Sequence, residues 1–386
     1  MTSERSGMAS AGKVLLRRLL TGFLLAGQCL APFAWAAQEK EDPAAREVLF
    51  FPALPDPPRI QHLVTFTGEK DMRAPSSAFA RFVLGEDEAA QQLSQPYGSA
   101  MYDGRLYVVD TGAAAVAVFD LARKTFSYPA SLSNGQLRRP INIRIDGDGT
   151  KYVADAGREQ VLVYDRDDRY VTAYGKAGLF RPTDLAIVGD RLYVTDVLHH
   201  QIHVLEKASG KTLFVFGKAG SGAGELFHPT NISQGPDGDL YISETSNYRL
   251  QRFTLDGTPV RTYGEVGATP GSFARPKGVA VDHAGRIYVS DAAFENVQLF
   301  DGQGKLLLFF GQAGDAARRL HLPAGISLDY DNVALFSKYA AADFQIEYLV
   351  FVASQFGPNK VDVFGFGRMD GREYPAESPL PAVAGR

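Results

Sequence analysis

The chain has 386 residues, of which 45% are hydrophobic and 11% aromatic, and this is ample for a globular core. Its 40 Lys and Arg residues against 44 Asp and Glu give a formal net charge of −4, which gives nucleic-acid binding no electrostatic support. The single Cys excludes an intrachain disulfide and any zinc site built on several cysteines.

The first 36 residues have the pattern of a secretory signal peptide. A basic start is followed by an apolar stretch from Leu19 to Leu30 and then by Ala34-Trp35-Ala36, a small-x-small cleavage sequence. The apolar stretch is short for a membrane span of roughly 20 residues, so we expect cleavage and a mature chain without a span. Lipid attachment at Cys29 is the alternative, although Gln28 stands where that pattern has a small residue. The sequence thus predicts export to the periplasm or to the outside of the cell.

Short regions of different composition flank the main body of the chain. Residues 37–58 are Pro-rich and predict an extended arm, whose apolar part should lie along the outside of the folded body. A longer connection over residues 69–95 can hold a short helix around Ala78–Leu84. At the other end, residues 368–386 are Pro-rich and predict a flexible tail.

From residue 96 a unit of four short strand-like segments recurs along the chain. Each unit begins with a proline before an apolar strand, at Pro96, Pro140, Pro182, Pro229, Pro276 and Pro323. The second strand ends in an acidic residue in five of the units, at Asp110, Asp155, Asp196, Glu244 and Asp291. A third strand starts six residues after each acidic position, and the fourth strand of most units ends in an aromatic residue followed by Gly. Four strands in roughly 40–50 residues is the pattern of one propeller blade.

The sixth unit lacks a fourth strand. A stretch from Asn332 to Tyr348 interrupts it, Gln355 takes the acidic position, and no further strand follows Val361–Phe364. His62–Gly68, near the start of the mature chain, matches the missing strand. Pairing of the two would close a ring and remove the open edges that a linear array exposes. We therefore predict an all-β protein, a six-bladed β-propeller of four-stranded antiparallel blades over residues 59–367, closed by this N-terminal strand.

The repeated units resemble NHL repeats, which build six-bladed β-propellers. The resemblance rests on Arg275-Pro-Lys-Gly-Val-Ala-Val-Asp282 followed by Arg286-Ile-Tyr-Val-Ser-Asp291, with weaker copies in the other units, over about residues 90–367. A Pro-rich lead such as residues 37–58 is common in bacterial exported propellers of this type. The resemblance implies the fold but leaves the activity open, because such propellers serve many unrelated functions.

The antiparallel order of the strands predicts which loops share a face of the ring. The turn after each acidic position should lie beside the proline that starts the first strand, and we call this side the proline face. Two places after three consecutive prolines stand Asn142, Asp184 and Asn231, where the other units have Gly. Strand alternation points these three side chains, which we call the channel cluster, toward the axis of the ring. They could hold a divalent cation or a small polar ligand, or they could bond to turn backbone and order the inner strands.

Two further sets of residues belong to the proline face. The predicted ligand-binding set consists of the channel cluster and the residues three places after the acidic positions, Arg158, His199, Asn247 and Phe294. Directly before the prolines stand the basic residues Arg139, Arg181, His228 and Arg275. These could form an anion-binding rim, or they could pair with the acidic residues of a neighbouring blade. The acidic residues themselves are expected to cap N–H groups of adjacent turns.

These features favour a non-catalytic exported binding or scaffold module, monomeric and without a cofactor, whose loop-rich face meets a protein, peptide or glycan partner in the cell envelope. The alternative is a metal-dependent enzyme with its site at the channel mouth. A gluconolactonase-like hydrolase would place a Glu/Asn/Asp metal site at the channel cluster. A peptidyl-hydroxyglycine-lyase-like enzyme would need converging histidines, for which the candidates are His199, His228 and His321. The sequence contains no HExxH, GxSxG, P-loop or CxxCH motif.

Overall fold

The structure, a computed structural model, describes residues 48–73, 90–133, 135–312 and 319–375. The predicted signal peptide, the start of the predicted arm, the predicted helix around Ala78–Leu84 and residues 376–386 of the predicted tail lie outside these ranges. Among the described residues, every helix is too short or too polar to reach across a lipid bilayer.

Six antiparallel sheets form the blades of the molecule. The first three blades are β3–β6 (Pro96–Tyr102, Arg105–Asp110, Ala115–Asp120, Thr125–Ser127), β7–β10 (Pro140–Ile145, Lys151–Asp155, Gln160–Tyr164, Tyr170–Tyr174) and β11–β14 (Pro182–Val188, Arg191–Asp196, Gln201–Glu206, Thr212–Phe216). The next two are β15–β18 (Pro229–Gln234, Leu240–Glu244, Arg249–Phe253, Pro259–Tyr263) and β19–β22 (Pro276–Val281, Ile287–Asp291, Asn296–Phe300, Leu306–Phe310). The sixth joins β23 (Pro323–Asp329), β24 (Phe344–Ser354) and β25 (Val361–Met369) to β1 (Phe50–Phe51) and β2 (Ile60–Phe66).

The innermost strands of the six blades close a circle. In chain order these strands are β3, β7, β11, β15, β19 and β23, each of which contacts the next, and β23 contacts β3. The side chains between neighbouring blades are apolar, as strand alternation predicts; Val109 of the first blade, for example, packs in one cluster with Ile143 and Leu162 of the second. The predicted six-bladed propeller is confirmed.

The N-terminal strand completes the sixth blade, as predicted. β2 pairs antiparallel with β25, and His62 stands opposite Phe364. The strand covers Ile60–Phe66, so it starts and ends two residues before the predicted His62–Gly68. β1 adds a fifth strand outside β2, and the ring of Phe51 packs edge-on against that of Phe364. The described part of the Pro-rich arm is therefore attached to the closing blade through backbone pairing and an aromatic contact.

The interruption in the sixth unit is shorter than predicted. The stretch from Asn332 to Tyr348 begins with a helical turn at Val333–Phe336 and a 3-10 turn at Ser337–Tyr339, but β24 already starts at Phe344. β24 is long because β25 continues to Met369 and pairs with it as far as Phe344. This pairing is a long-range contact, which the local sequence pattern does not reveal.

A second prediction for this blade is wrong: the acidic position is taken by Ser354 and not by Gln355. Ser354 stands opposite Pro323, in the register that the acidic residues of the other blades have with their prolines. Its hydroxyl accepts the N–H of His321 at 3.2 Å and so keeps part of the capping role. The prediction counted back six residues from Val361, as in the other units, but Val361 lies seven residues after the residue that stands opposite the proline.

Candidate functional site

The acidic residue at the end of the second strand caps backbone N–H groups, as predicted. Asp155 accepts the N–H groups of Arg138 and Arg139 at 2.7 and 2.9 Å. It also accepts those of Gly157 and Arg158 in the following turn, at 2.9 and 3.0 Å. Bonds to the loop before the proline recur at Asp110, Asp196, Glu244 and Asp291. These carboxylates hold the loops of the proline face in place.

Three of the turn residues in the predicted ligand-binding set are engaged with their own neighbours. Arg158 Nε donates to the side chain of Gln160 at 3.0 Å, and Asn247 Nδ2 donates to the carboxylate of Glu244 at 2.6 Å. Phe294 is half-buried beside its capping residue. None of these three is among the described residues that line the cavities at the two ends of the channel.

His199, the fourth turn residue of the set, holds the cap of the third blade. His199 Nδ1 lies 2.6 Å and His203 Nε2 lies 3.2 Å from the same oxygen of Asp196. Burial alone would raise the pKa of Asp196, but hydrogen bonds from His203, the Arg181 N–H and His199 outweigh burial and lower this pKa to about 2. Both histidines therefore stabilise an ionised cap, and His228, the next candidate for a zinc site, has its Nδ1 2.8 Å from the hydroxyl of a serine.

All three side chains of the channel cluster are buried, and the structure brings Asp184 and Asn231 into contact with each other, whereas Asn142 packs beside Gly98. Asp184 Oδ2 accepts Asn231 Nδ2 at 3.2 Å and Arg144 Nη2 at 2.7 Å. The two carboxylate oxygens also accept one backbone N–H each, and Asn142 Oδ1 accepts the N–H of the next residue. The bonds of Asp184 to Arg144, Asn231 and Ile232 connect the inner strands of the second, third and fourth blades, whereas the bond of Asn142 stays within its own strand.

A chain of hydrogen bonds runs through the ring from one channel mouth to the other. Tyr97 lines the cavity on the proline face, and its hydroxyl donates to Asn231 Oδ1 at 3.2 Å. Asn231 donates in turn to Asp184, which is paired with Arg144 in the lining of the opposite cavity. The polar atoms of Asp184 and Asn231 thus serve to link the blades.

The channel cluster does not fit a divalent cation of the kind that a gluconolactonase-like site would hold. Asp184 is its one carboxylate, and the guanidinium of Arg144 at 2.7 Å already balances that charge. Burial, the largest influence, raises the pKa of Asp184 and makes it a weaker ligand for a cation. Within the part of the chain that the structure describes, no three His, Cys, Asp or Glu side chains come together as a metal site would require.

Gly98 provides a test of how tightly this cluster is packed. A Cβ atom on Gly98 would lie 1.8 Å from Asn142 Oδ1. We expect Gly98→Ala to lower the free energy of unfolding in urea by about 1–3 kcal/mol, the usual range for overpacking a core. Gly147→Ala is the matched control, since a Cβ there would meet no atom within 4 Å, and it should change stability by less than about 0.5 kcal/mol. Equal stabilities of the two variants would contradict the packing described.

The cavity opposite the proline face has a volume of about 560 Å³. It is wide because small residues occupy the fourth place after five of the prolines, namely Ala100, Ala186, Ser233, Ala280 and Ser327. Arg144 holds this place in the second blade and crosses to Asp184 and the carbonyl of Leu185. Because Asp184 balances its charge, this mouth offers little electrostatic attraction for a charged ligand.

The cavity on the proline face, which we call the basic mouth, has a volume of about 570 Å³. Four of its lining side chains are cationic: Arg138, Arg139, Arg275 and Lys277. Its other polar side chains are the neutral Gln95, Tyr97, Thr111 and Gln355. None of the described lining residues is acidic or a histidine. The three arginines are exposed and form no ion pair with any acid that the structure describes.

Lys277 is the most deeply placed of the four cations, with 8% of its surface exposed. Its Nζ donates to Gln355 Oε1 at 2.5 Å and lies 5.3 Å from the centre of the Tyr97 ring. Burial, with a smaller contribution from the charge of Arg275, lowers the pKa of Lys277 to about 8. The ammonium group is still mostly protonated at neutral pH and has no carboxylate beside it among the described residues.

The basic residues before the prolines do not pair with the capping acids in the part of the chain that the structure describes. The caps accept backbone N–H groups from these positions, as in Arg139 and Arg275, and leave the guanidinium groups to the basic mouth. Arg181 pairs instead with Glu159, which is not a cap, at 3.4 Å. The prediction that the basic residues before the prolines pair with the capping acids is therefore wrong.

Large apolar side chains are exposed on the same face. We call them the apolar arc: Leu198, Phe227, Tyr248, Val266 and Phe356, all in loops of the proline face and each at least 38% exposed. They come from the third to the sixth blade, and Phe356 also lines the basic mouth. The proline face therefore combines unpaired cations with apolar side chains.

The fold places the chain among six-bladed β-propellers. No protein-family model matches the sequence. Solved structures that it resembles include a gluconolactonase from Xanthomonas campestris, at 17% identity and a TM-score of 0.52, covering 79% of this chain and 98% of that chain. A protein of unknown function from Bacteroides thetaiotaomicron is 15% identical with a TM-score of 0.54, and the match covers 79% of this chain and 75% of that chain. A catalytically inactive virginiamycin B lyase from Staphylococcus aureus with quinupristin is 14% identical with a TM-score of 0.50, and the match covers 71% of this chain and 95% of that chain. At these identities the likeness shows the fold alone.

Proposed function

We propose that the protein is an exported, monomeric propeller of the NHL type that acts without catalysis, by docking a protein partner on its proline face. The apolar arc is the observation that carries this proposal. Single exposed apolar residues are ordinary, but aromatic side chains and arginines gathered on one face have the composition of protein-binding surfaces. Two of the five side chains, Leu198 and Val266, are aliphatic and exposed beside the three aromatic ones, and such a mixture favours a protein or peptide over a glycan.

The chemistry available at the channel supports binding over catalysis. The carboxylate of Asp184 is engaged with Arg144 and Asn231, and the lining of the basic mouth offers neither carboxylate nor imidazole among the described residues. In the opposite cavity the described lining has the imidazole of His283, whose ring stacks on Tyr330. A metal-dependent hydrolase or lyase would need such donors with an open position for substrate. The proposal of export and of a place in the cell envelope rests on the signal-peptide pattern of the sequence.

The proposed face can be tested by immobilising the mature chain and measuring which envelope protein it retains. The variant F227S/Y248S removes two rings of the apolar arc, and L213S/F309S removes two side chains of similar exposure from the outer strands β14 and β22. We expect one partner at a stoichiometric ratio on the wild type and on L213S/F309S. Its retention on F227S/Y248S should fall at least about tenfold, as expected when hot-spot rings are removed. Thermal unfolding must first show that both variants are folded.

Two results would contradict the proposal. One is equal retention of the partner by F227S/Y248S and by the wild type. The other is saturable lactone hydrolysis or lyase turnover by the purified chain with added divalent cation, lost in Asp184→Asn.

A further inference from the structure

The basic mouth concentrates cations from opposite sides of the ring. Arg138 and Arg139 precede β7 of the second blade, whereas Arg275 and Lys277 flank the start of β19 of the fifth blade. In a circle of six blades the second and the fifth stand across the axis from each other. A ligand in this cavity is therefore faced by guanidinium groups on two sides.

The four cations are arranged by depth. Lys277 is buried and held by Gln355, while Arg139 and Arg275 are exposed. A buried ammonium without an acid beside it is costly, and an anion entering the cavity would remove that cost. Guanidinium groups form paired, charge-assisted hydrogen bonds with carboxylates.

We propose that the basic mouth binds the side-chain carboxylates of an acidic peptide segment of the docking partner. This inference rests on the proposed function, since it names the chemistry of the partner at the centre of the proline face. The ligand carries adjacent acidic residues, whose carboxylates meet Arg139 and Arg275, and an apolar residue beside them that packs on Phe356. Phe356 is 52% exposed at the edge of the cavity and gives the apolar neighbour a surface to cover.

Binding of a labelled peptide tests this directly. The probe is fluorescein-Glu-Glu-Phe-Glu-Glu, compared with the same peptide carrying Gln in place of Glu, in fluorescence anisotropy with the full mature chain at about 50 mM salt, where screening is modest. We expect the Glu peptide to bind and the Gln peptide to bind at least about tenfold more weakly. R139Q/R275Q should also weaken binding of the Glu peptide at least about tenfold. R169Q/R261Q, with the same change of charge outside the mouth, should leave it within about twofold.

The dependence on pH provides a second readout. In the mouth Lys277 faces Arg138, Arg139, Arg275 and Tyr97. Burial raises the pKa of Tyr97, whereas it lowers the pKa of Lys277 to about 8, so the charge of Lys277 changes between pH 7 and pH 9. Loss of its proton removes a positive charge, and binding of the Glu peptide should weaken as pH rises through this range. K277Q should bind more weakly at pH 7 and should lack this change.

The outcomes separate this inference from the proposed function. Failure of the Glu peptide to bind, equal binding of the Gln peptide, or unchanged binding to R139Q/R275Q would each overturn the carboxylate site. If the wild type then still retains the envelope partner and F227S/Y248S does not, the proposed docking function stands without the carboxylate site. Inorganic phosphate that displaces the peptide and binds more tightly would also overturn it, in favour of a phosphate ligand.

Discussion

A chain that begins at Thr67, and so lacks β1 and β2, should not fold cooperatively. These strands supply the fourth strand of the closing blade, and Ile60, Leu63 and Phe66 are each at most 2% exposed. Losing a large buried side chain costs about 2–5 kcal/mol, so the loss of three, about 6–15 kcal/mol, is as large as the total stability of about 5–15 kcal/mol that is typical of a domain. Thermal unfolding followed by circular dichroism should show no sharp transition.

The matched control is a chain that begins at Val48 and keeps both strands. It should unfold cooperatively, because the backbone pairing of the closing blade begins at β1. A synthetic peptide of residues 48–68 added to the shorter chain should restore a transition, since it supplies the missing strand. A sharp transition of the shorter chain within a few degrees of the control would contradict closure by β2.

Replacing Asp184 with Ala should cost about 3–5 kcal/mol of unfolding free energy, the range for removing one partner of a buried ion pair. The change leaves the Asn231 amide and two backbone N–H groups without their acceptor. It also leaves the charge of Arg144 unbalanced, although the guanidinium keeps its bond to the carbonyl of Leu185. Urea denaturation measures the loss. Asp190→Ala, at an acid whose side chain is 92% exposed, should stay within about 0.5 kcal/mol of the wild type.

A second comparison separates a linking role of Asp184 from a metal ligand. R144M/D184L removes both charges and should recover the part of the lost stability that comes from the unbalanced charge of Arg144, because an apolar pair can replace a buried ion pair. The Asn231 amide and the two backbone N–H groups still lack their acceptor in this variant, so recovery should be incomplete. The loss in Asp184→Ala should be the same with and without EDTA. A loss that disappears in EDTA would contradict the linking role and would show that Asp184 holds a cation.

The ring and its closure were predictable because both depend on local pattern. The prolines and the acidic residues mark the same register in successive units, and the segment after His62 repeats the fourth-strand pattern. The capping role of the acids was likewise predictable from their place at strand ends. The length of β24 was not, since it depends on pairing with β25. Ser354 was missed as the equivalent of the acids because Val361 follows it by seven residues, where the spacing in the other units is six.

The candidate site was predictable only in part. The sequence placed the channel cluster at the axis, but it gave no sign that Arg144 would cross between blades to balance Asp184. Arg139 and Arg275 were predicted on the proline face, whereas Lys277 and Arg138 were missed. A signal existed, because Lys277 directly follows the proline that Arg275 precedes. Their common cavity arises from tertiary packing of opposite blades, and local spacing does not show it.

A crystal structure of the mature chain with Glu-Glu-Phe-Glu-Glu tests most directly whether the basic mouth, and not the channel cluster, meets the ligand. We expect peptide carboxylates about 3 Å from the guanidinium groups of Arg139 and Arg275, with Arg144 still paired to Asp184. A peptide bound elsewhere, or a cation held by Asn142, Asp184 and Asn231 with Arg144 displaced, would contradict this account.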